Sequence, residues 1–74
     1  MRVTIKLFAT LREGRFKVEN WELPARASVK DVLERLGIKS EGIAIILVNG
    51  RDTQVEYELQ EGDAISLFPP VGGG

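Results

Sequence analysis

Apolar and polar residues alternate from the start of the chain, with Val3, Ile5 and Leu7 in one phase and Arg2, Thr4, Lys6 and Phe8 in the other. A period of two sends successive side chains to opposite faces, so residues 2–8 predict a half-buried strand with Phe8 on its polar face. Residues 9–14 predict a turn or a single helical turn. Phe16 and Val18 then resume strand-like alternation towards Trp21 and Leu23. The phase changes between Val18 and Trp21, which predicts a bulge or bend near Glu19 and Asn20. Together these segments predict an N-terminal hairpin.

After Pro24 the period changes. Val29, Val32, Leu33 and Leu36 recur at i, i+3, i+4 and i+7, with Lys30, Asp31, Glu34 and Arg35 opposite them, which predicts one amphipathic helix over 29–36. Ser28 and Asp31 have the spacing of a capping box at its start. Gly37 is placed for a left-handed C-cap, with Ile38 as the apolar contact that follows it. Residues 43–48 are apolar and rich in β-branched side chains, which predicts a strand covered on both faces. Asn49-Gly50 marks a turn. Val55, Tyr57 and Leu59 alternate with Gln54, Glu56 and Glu58 as a short strand would, Glu61-Gly62-Asp63 turns the chain again, and residues 64–68 form the last strand. The order β-β-α-β-(β)-β predicts an α+β fold, a ubiquitin-like β-grasp whose mixed four- to five-stranded sheet packs on one main helix.

Seventy-four residues suffice for one domain, here 1–68, followed by a flexible tail at 69–74. A hydrophobic fraction of 43% with 28% charged residues fits a soluble globular domain. The longest apolar run is far short of the roughly 20 residues a membrane helix needs, and polar residues interrupt the N-terminus where a signal peptide would be apolar, so a cytoplasmic location is expected. The chain has no cysteine and no histidine. That removes the disulfide, the catalytic thiol, the usual general base and the commonest metal ligand, and argues against enzymatic activity of its own and for no cofactor or metal site. With a net charge of −1 and scattered cations, nothing points to nucleic acid or an anionic membrane.

The remaining candidate chemistry lies in the ending Pro69-Pro70-Val71-Gly72-Gly73-Gly74. Two prolines cannot extend a sheet ladder and hold the backbone near polyproline II, so the chain is expected to leave the domain stiffly after Phe68. Six residues near full extension reach about 20 Å, enough to carry a terminal carboxylate into another protein's active site. Glycine lacks a Cβ, which suits a narrow channel and leaves the terminal carbonyl carbon open to a nucleophile. A glycine-rich end can also be no more than a frayed terminus. What distinguishes the two here is a β-grasp order closing within a few residues of Gly-Gly.

Leu7-Phe8-Ala9-Thr10-Leu11-Arg12-Glu13, Val48-Asn49, and Glu61-Gly62-Asp63 through Phe68-Pro69-Pro70-Val71-Gly72-Gly73-Gly74 resemble the small subunit of molybdopterin synthase, MoaD, and its sulfur-carrier relatives. The resemblance spans the chain. Gly72 takes the variable position of the Phe-Pro-Pro-Val-x-Gly-Gly ending, whereas the thiamin-pathway carrier ThiS shares Gly-Gly without the proline pair. The resemblance implies that an E1-like adenylyltransferase uses ATP to adenylylate Gly74 and that a sulfur donor then leaves a thiocarboxylate. It further implies that the large subunit of molybdopterin synthase, in a heterotetramer, takes up this group to build the dithiolene that binds molybdenum or tungsten.

Phe8 and Phe68 each fall out of phase with the core residues beside them and are expected to meet on the outer face of adjacent parallel strands. They form either a docking patch beside the tail or a cross-strand pair that simply covers the sheet; the family has interface phenylalanines at both positions. Asp52 stands where the family can have a third apolar contact. Arg12 and Glu13 are partner contacts or a solvated turn, and Glu56, Glu58, Glu61 and Asp63 form an acidic segment that faces a basic partner surface or, as the commoner case, is a solvated hairpin face. The isolated protein is expected to be monomeric. Competing readings are a ubiquitin-like modifier joined to lysines through Gly74, a carrier for thiamin or tRNA thiolation, and an interaction module with an inert tail.

Overall fold

A computed structural model describes residues 1–70. Strands β1 (Arg2–Leu7), β2 (Val18–Glu22), β3 (Ile45–Val48), β4 (Arg51–Asp52) and β5 (Ala64–Phe68) form one sheet in the order β2-β1-β5-β3-β4, and one helix, α1 (Val29–Leu36), lies between β2 and β3 in the chain. β1 and β5 run parallel at the centre, and the other pairs are antiparallel. This is the mixed sheet and single helix of the ubiquitin-like β-grasp.

The helix begins where its caps say. Asp31 donates its backbone N–H to Ser28 Oγ at 3.4 Å, while the Ser28 N–H donates to Asp31 Oδ2 at 2.8 Å. Gly37 ends the helix at φ 75°, ψ 26°, and the Ile38 N–H returns to the Leu33 carbonyl at 2.9 Å. Val29, Val32 and Leu33 from α1 join Val3, Ile5 and Leu7 of β1, Ile46 and Val48 of β3, and Ile65 and Leu67 of β5 in one core. Each such aliphatic side chain removed from water stabilises the fold by roughly 1.5–3 kcal/mol before entropy is counted. At the C-terminal end of α1 the Arg35 guanidinium lies 4.8 Å from the centre of the Trp21 ring, which Phe16 meets edge-on.

Three expectations change. β2 has no bulge: it pairs regularly from Arg2↔Glu22 to Lys6↔Val18. Trp21 and Glu19 oppose Val3 and Ile5 on the covered face, which leaves Val18 exposed on the other. The apolar run at 43–48 yields a strand covered on one face, because one short helix can blanket only one side of a five-stranded sheet. Ile46 and Val48 are buried, Leu47 half-buried and Ile45 exposed.

The segment 54–59 is not a ladder strand; it makes one isolated bridge, Ser28↔Glu58. Its Val55 and Tyr57 carbonyls accept the N–H groups of Lys30 and Val29 at 2.9 and 3.1 Å, which the first turn of a helix leaves free. Alternation reported correctly that Val55, Tyr57 and Leu59 turn inwards. The backbone, however, bonds to the helix start. The fifth strand is instead β4, reached through the two-residue Asn49-Gly50 turn, with φ values of 54° and 81° as the hairpin geometry requires.

Candidate functional site

β1 ends at Leu7, but the Phe8 N–H still donates to the Leu67 carbonyl at 3.2 Å, so the ring is held one step beyond the strand. Phe68 closes β5 beside it. The two rings stack with centroids 4.3 Å apart and planes 12° from parallel. Such pairs add about 0.5–1.5 kcal/mol beyond the area they bury. Ile45 opposes Phe68 across β3 and is 46% exposed. Phe8, Phe68 and Ile45 thus make an apolar row on the open face, at the end of the strand that leads into Pro69 and Pro70. Pro69, half-buried and without an N–H, ends the ladder there.

The turn after Phe8 supports this row. Leu11 is buried beneath a single 3₁₀ turn, Ala9–Arg12. Arg12 Nε donates to the Leu7 carbonyl at 2.7 Å, and its guanidinium carbon sits 5.4 Å from the Phe8 ring centre. Arg12 therefore tethers the turn and covers one side of the stack, while the Glu13 side chain is exposed. Ala9 takes φ 54°, a left-handed conformation that costs an alanine on the order of 1 kcal/mol.

Glu56, Glu58 and Glu61 are exposed, but Asp63 departs from the acidic surface expected of it: it is 5% exposed. Its carboxylate accepts from Asn49 Nδ2 and the Gln60 N–H at 2.8 Å each, and from the Tyr57 hydroxyl at 3.3 Å. Asn49 Oδ1 in turn accepts the Ala64 N–H at 2.9 Å. The network ties the β3–β4 turn to the start of β5. Partial burial, then the charge and hydrogen bond of Asp63, push the Tyr57 phenol above its ordinary 10.0. A depression of about 510 Å³ beside this turn is lined by Val48, Asn49, Arg51, Asp52, Thr53 and Tyr57, and the polar tips of Asn49 and Tyr57 are already committed to Asp63.

The structure brings Phe8 and Phe68 together and places Pro69 and Pro70 directly after them. Gly72, Gly73 and Gly74 lie outside the described residues. Ile45 and Leu47 escaped the sequence reading, since an unbroken β-branched run resembles a doubly buried strand. The presence of a single helix was the signal that one face had to stay open.

Residues 5–74 match the ThiS family. The chain belongs to that family. It is thus a small ubiquitin-like protein of the kind that serves as sulfur carrier or modifier. Small archaeal modifier protein 3 of Haloferax volcanii is 33% identical over a 93-residue alignment covering all of both chains. A Pyrococcus furiosus protein assigned as molybdopterin converting factor subunit 1 superposes with a TM-score of 0.77 at 33% identity, over 96% of this chain and 99% of that one. A chain of the complex of subunits 1 and 2 of the Helicobacter pylori molybdopterin-converting factor matches at 26% identity and a TM-score of 0.68, with both chains fully covered.

Proposed function

We propose that this chain is a sulfur carrier for molybdopterin synthesis, with residues 1–68 as the recognition domain and 69–74 as the substrate-bearing tail. An E1-like adenylyltransferase activates the Gly74 carboxylate: a carboxylate oxygen attacks the α-phosphorus of ATP and pyrophosphate leaves. Hydrosulfide from a sulfur donor then attacks the acyl carbon and expels AMP, leaving a thiocarboxylate. This soft nucleophile enters the large subunit of the synthase and bonds through sulfur to a pterin precursor; water then cleaves the acyl–sulfur bond, leaving the sulfur on the pterin and returning the Gly74 carboxylate. The observation that carries the reading is the stacked Phe8–Phe68 pair, an apolar surface at the point where β5 passes into Pro69-Pro70. It suits a partner that must hold the domain while drawing in the tail. The proline pair and the subunit 1 relative favour the pterin pathway over thiamin or tRNA thiolation. The two-subunit Helicobacter pylori complex supports a large-subunit partner.

Acid–base groups and ATP binding belong to the partners under this reading. Intact-mass measurement after incubation with the activating enzyme encoded in the same genome, ATP and a sulfur donor tests it. A gain corresponding to oxygen replaced by sulfur at Gly74 is the expected result; an unchanged mass overturns it. The end-to-end match to an archaeal modifier favours a second reading, attachment of Gly74 to lysines of other proteins, which a ladder of conjugates in the same reaction reveals.

A further inference from the structure

The open face of the sheet divides according to how its polar groups are satisfied. At the end remote from the tail they satisfy one another: Arg2 Nε pairs with Glu22 at 3.2 Å, and the Thr4 hydroxyl donates to Asn20 at 2.8 Å. One row further on this stops. Lys6 shares a cross-strand row with Val18, Ser66, Leu47 and Asp52. Neither Lys6 nor Asp52 has a side-chain hydrogen bond or ion pair among the described residues. Three strand spacings of about 4.8 Å put them roughly 14 Å apart, beyond the screening length of about 8 Å at physiological salt, so they do not neutralise each other.

This row lies directly beside Phe8, Phe68 and Ile45, two residues away along each strand. Arg12, over Phe8, adds a second cation on the Lys6 side. The apolar patch is therefore positive along its β1 border and negative along its β4 border. Burial of apolar surface has no direction of its own; a stack of rings can seat on a complementary socket in more than one orientation. The tail allows one, because a domain turned about on its socket sends Pro69 away from the active site. Unpaired charges on opposite borders resolve this, since the reversed seating sets like charges together.

We infer that Lys6 and Asp52 fix the orientation in which the activating enzyme seats this domain, that enzyme presenting a carboxylate opposite Lys6 and a basic side chain opposite Asp52. The inference rests on the reading of the Phe8–Phe68 patch as the docking surface. Asp52, exposed on β4, becomes a determinant of that seating.

The test reverses the row at constant net charge. Full-length Lys6→Glu/Asp52→Lys is assayed by ATP–pyrophosphate exchange with the activating enzyme encoded in the same genome, beside Arg2→Glu/Glu22→Arg as the same exchange at the remote end and Phe68→Ala as the test of the patch. The inference expects KM for the carrier to rise about tenfold or more in the first variant with kcat unchanged, the rise shrinking as salt is added. The remote exchange leaves KM within about twofold. An unchanged KM for Lys6→Glu/Asp52→Lys while Phe68→Ala raises it overturns the inference and leaves the docking reading standing. No effect of Phe68→Ala removes the docking reading and the inference with it. An equal rise in the remote exchange also overturns the inference, because the effect is then one of general field. Equal thermal midpoints for the exposed-site variants keep KM a measure of contact.

Discussion

On β5, Ile65 and Leu67 are fully buried beneath the helix, whereas Ser66 and Phe68, alternating with them, stay half-buried on the open face. β3 repeats the arrangement, with Ile46 at 8% and Ile45 at 46% exposure. Adjacent residues of nearly the same chemistry thus meet different surroundings, one set enclosed by α1 and the other meeting solvent. Side chains on the covered face gain by removal from water at folding; under the proposed docking role, those on the open face retain that gain for a partner.

The largest effect should come from the covered face. Leu67→Ala is expected to destabilise by about 3 kcal/mol, as buried leucine truncations do, and thermal or urea unfolding measures it. A loss below 1 kcal/mol would break the distinction between the faces. Phe68→Ala, one residue on, should cost about 1 kcal/mol of stability, mostly from the lost stack, yet weaken binding to the activating enzyme by roughly 2 kcal/mol or more. Unfolding paired with titration calorimetry reads both numbers. Ile45→Ser should alter stability by only about 0.5 kcal/mol, against the larger loss expected for Ile46→Ala, and a comparison of their urea midpoints sharpens the contrast within a single strand.

The smallest effect concerns Tyr57 and Asp63. Because the folded-state phenol titrates above 10.0, its contribution is fully present below the unfolded value and is lost as pH rises through the folded one. Tyr57→Phe should therefore give a shallower loss of stability above pH 10, and at neutral pH it removes the hydrogen bond to Asp63. Unfolding free energies across pH 7–11 check this. An unchanged alkaline slope would detach this pair from the stability of the β3–β4 turn.

Where the determinant was local, the sequence carried it. The Ser28–Asp31 capping box, the Gly37 cap, the α1 stripe and the Asn49-Gly50 turn are each specified by residues within a few positions of one another, and the structure reproduces them. Phe8 and Phe68 could be paired from sequence because the β-grasp order sets the first and last strands side by side, and phase then chooses the face. Val18, Ile45 and the 54–59 segment were misjudged for a shared reason: periodicity tells which residues turn inwards relative to their own backbone, but not which neighbour supplies the cover or the hydrogen bonds. The role of Asp63 was hidden similarly, since its partners Asn49, Tyr57 and Gln60 meet it only once the β3–β4 turn packs against the start of β5.

By itself, then, the sequence determined a one-helix β-grasp, the lack of histidine and cysteine side chains, and a Pro-Pro-Val-Gly-Gly-Gly segment at 69–74. Those properties depend on residue identity and short-range spacing. Only the tertiary structure decided that one sheet face stays open, that Ile45 and Leu47 extend the aromatic pair on it, and that Lys6 and Asp52 border that patch with no side-chain hydrogen bond or ion pair among the described residues. Such relations depend on register between strands distant in the chain, set by the packing of the whole core rather than by any local stretch of residues.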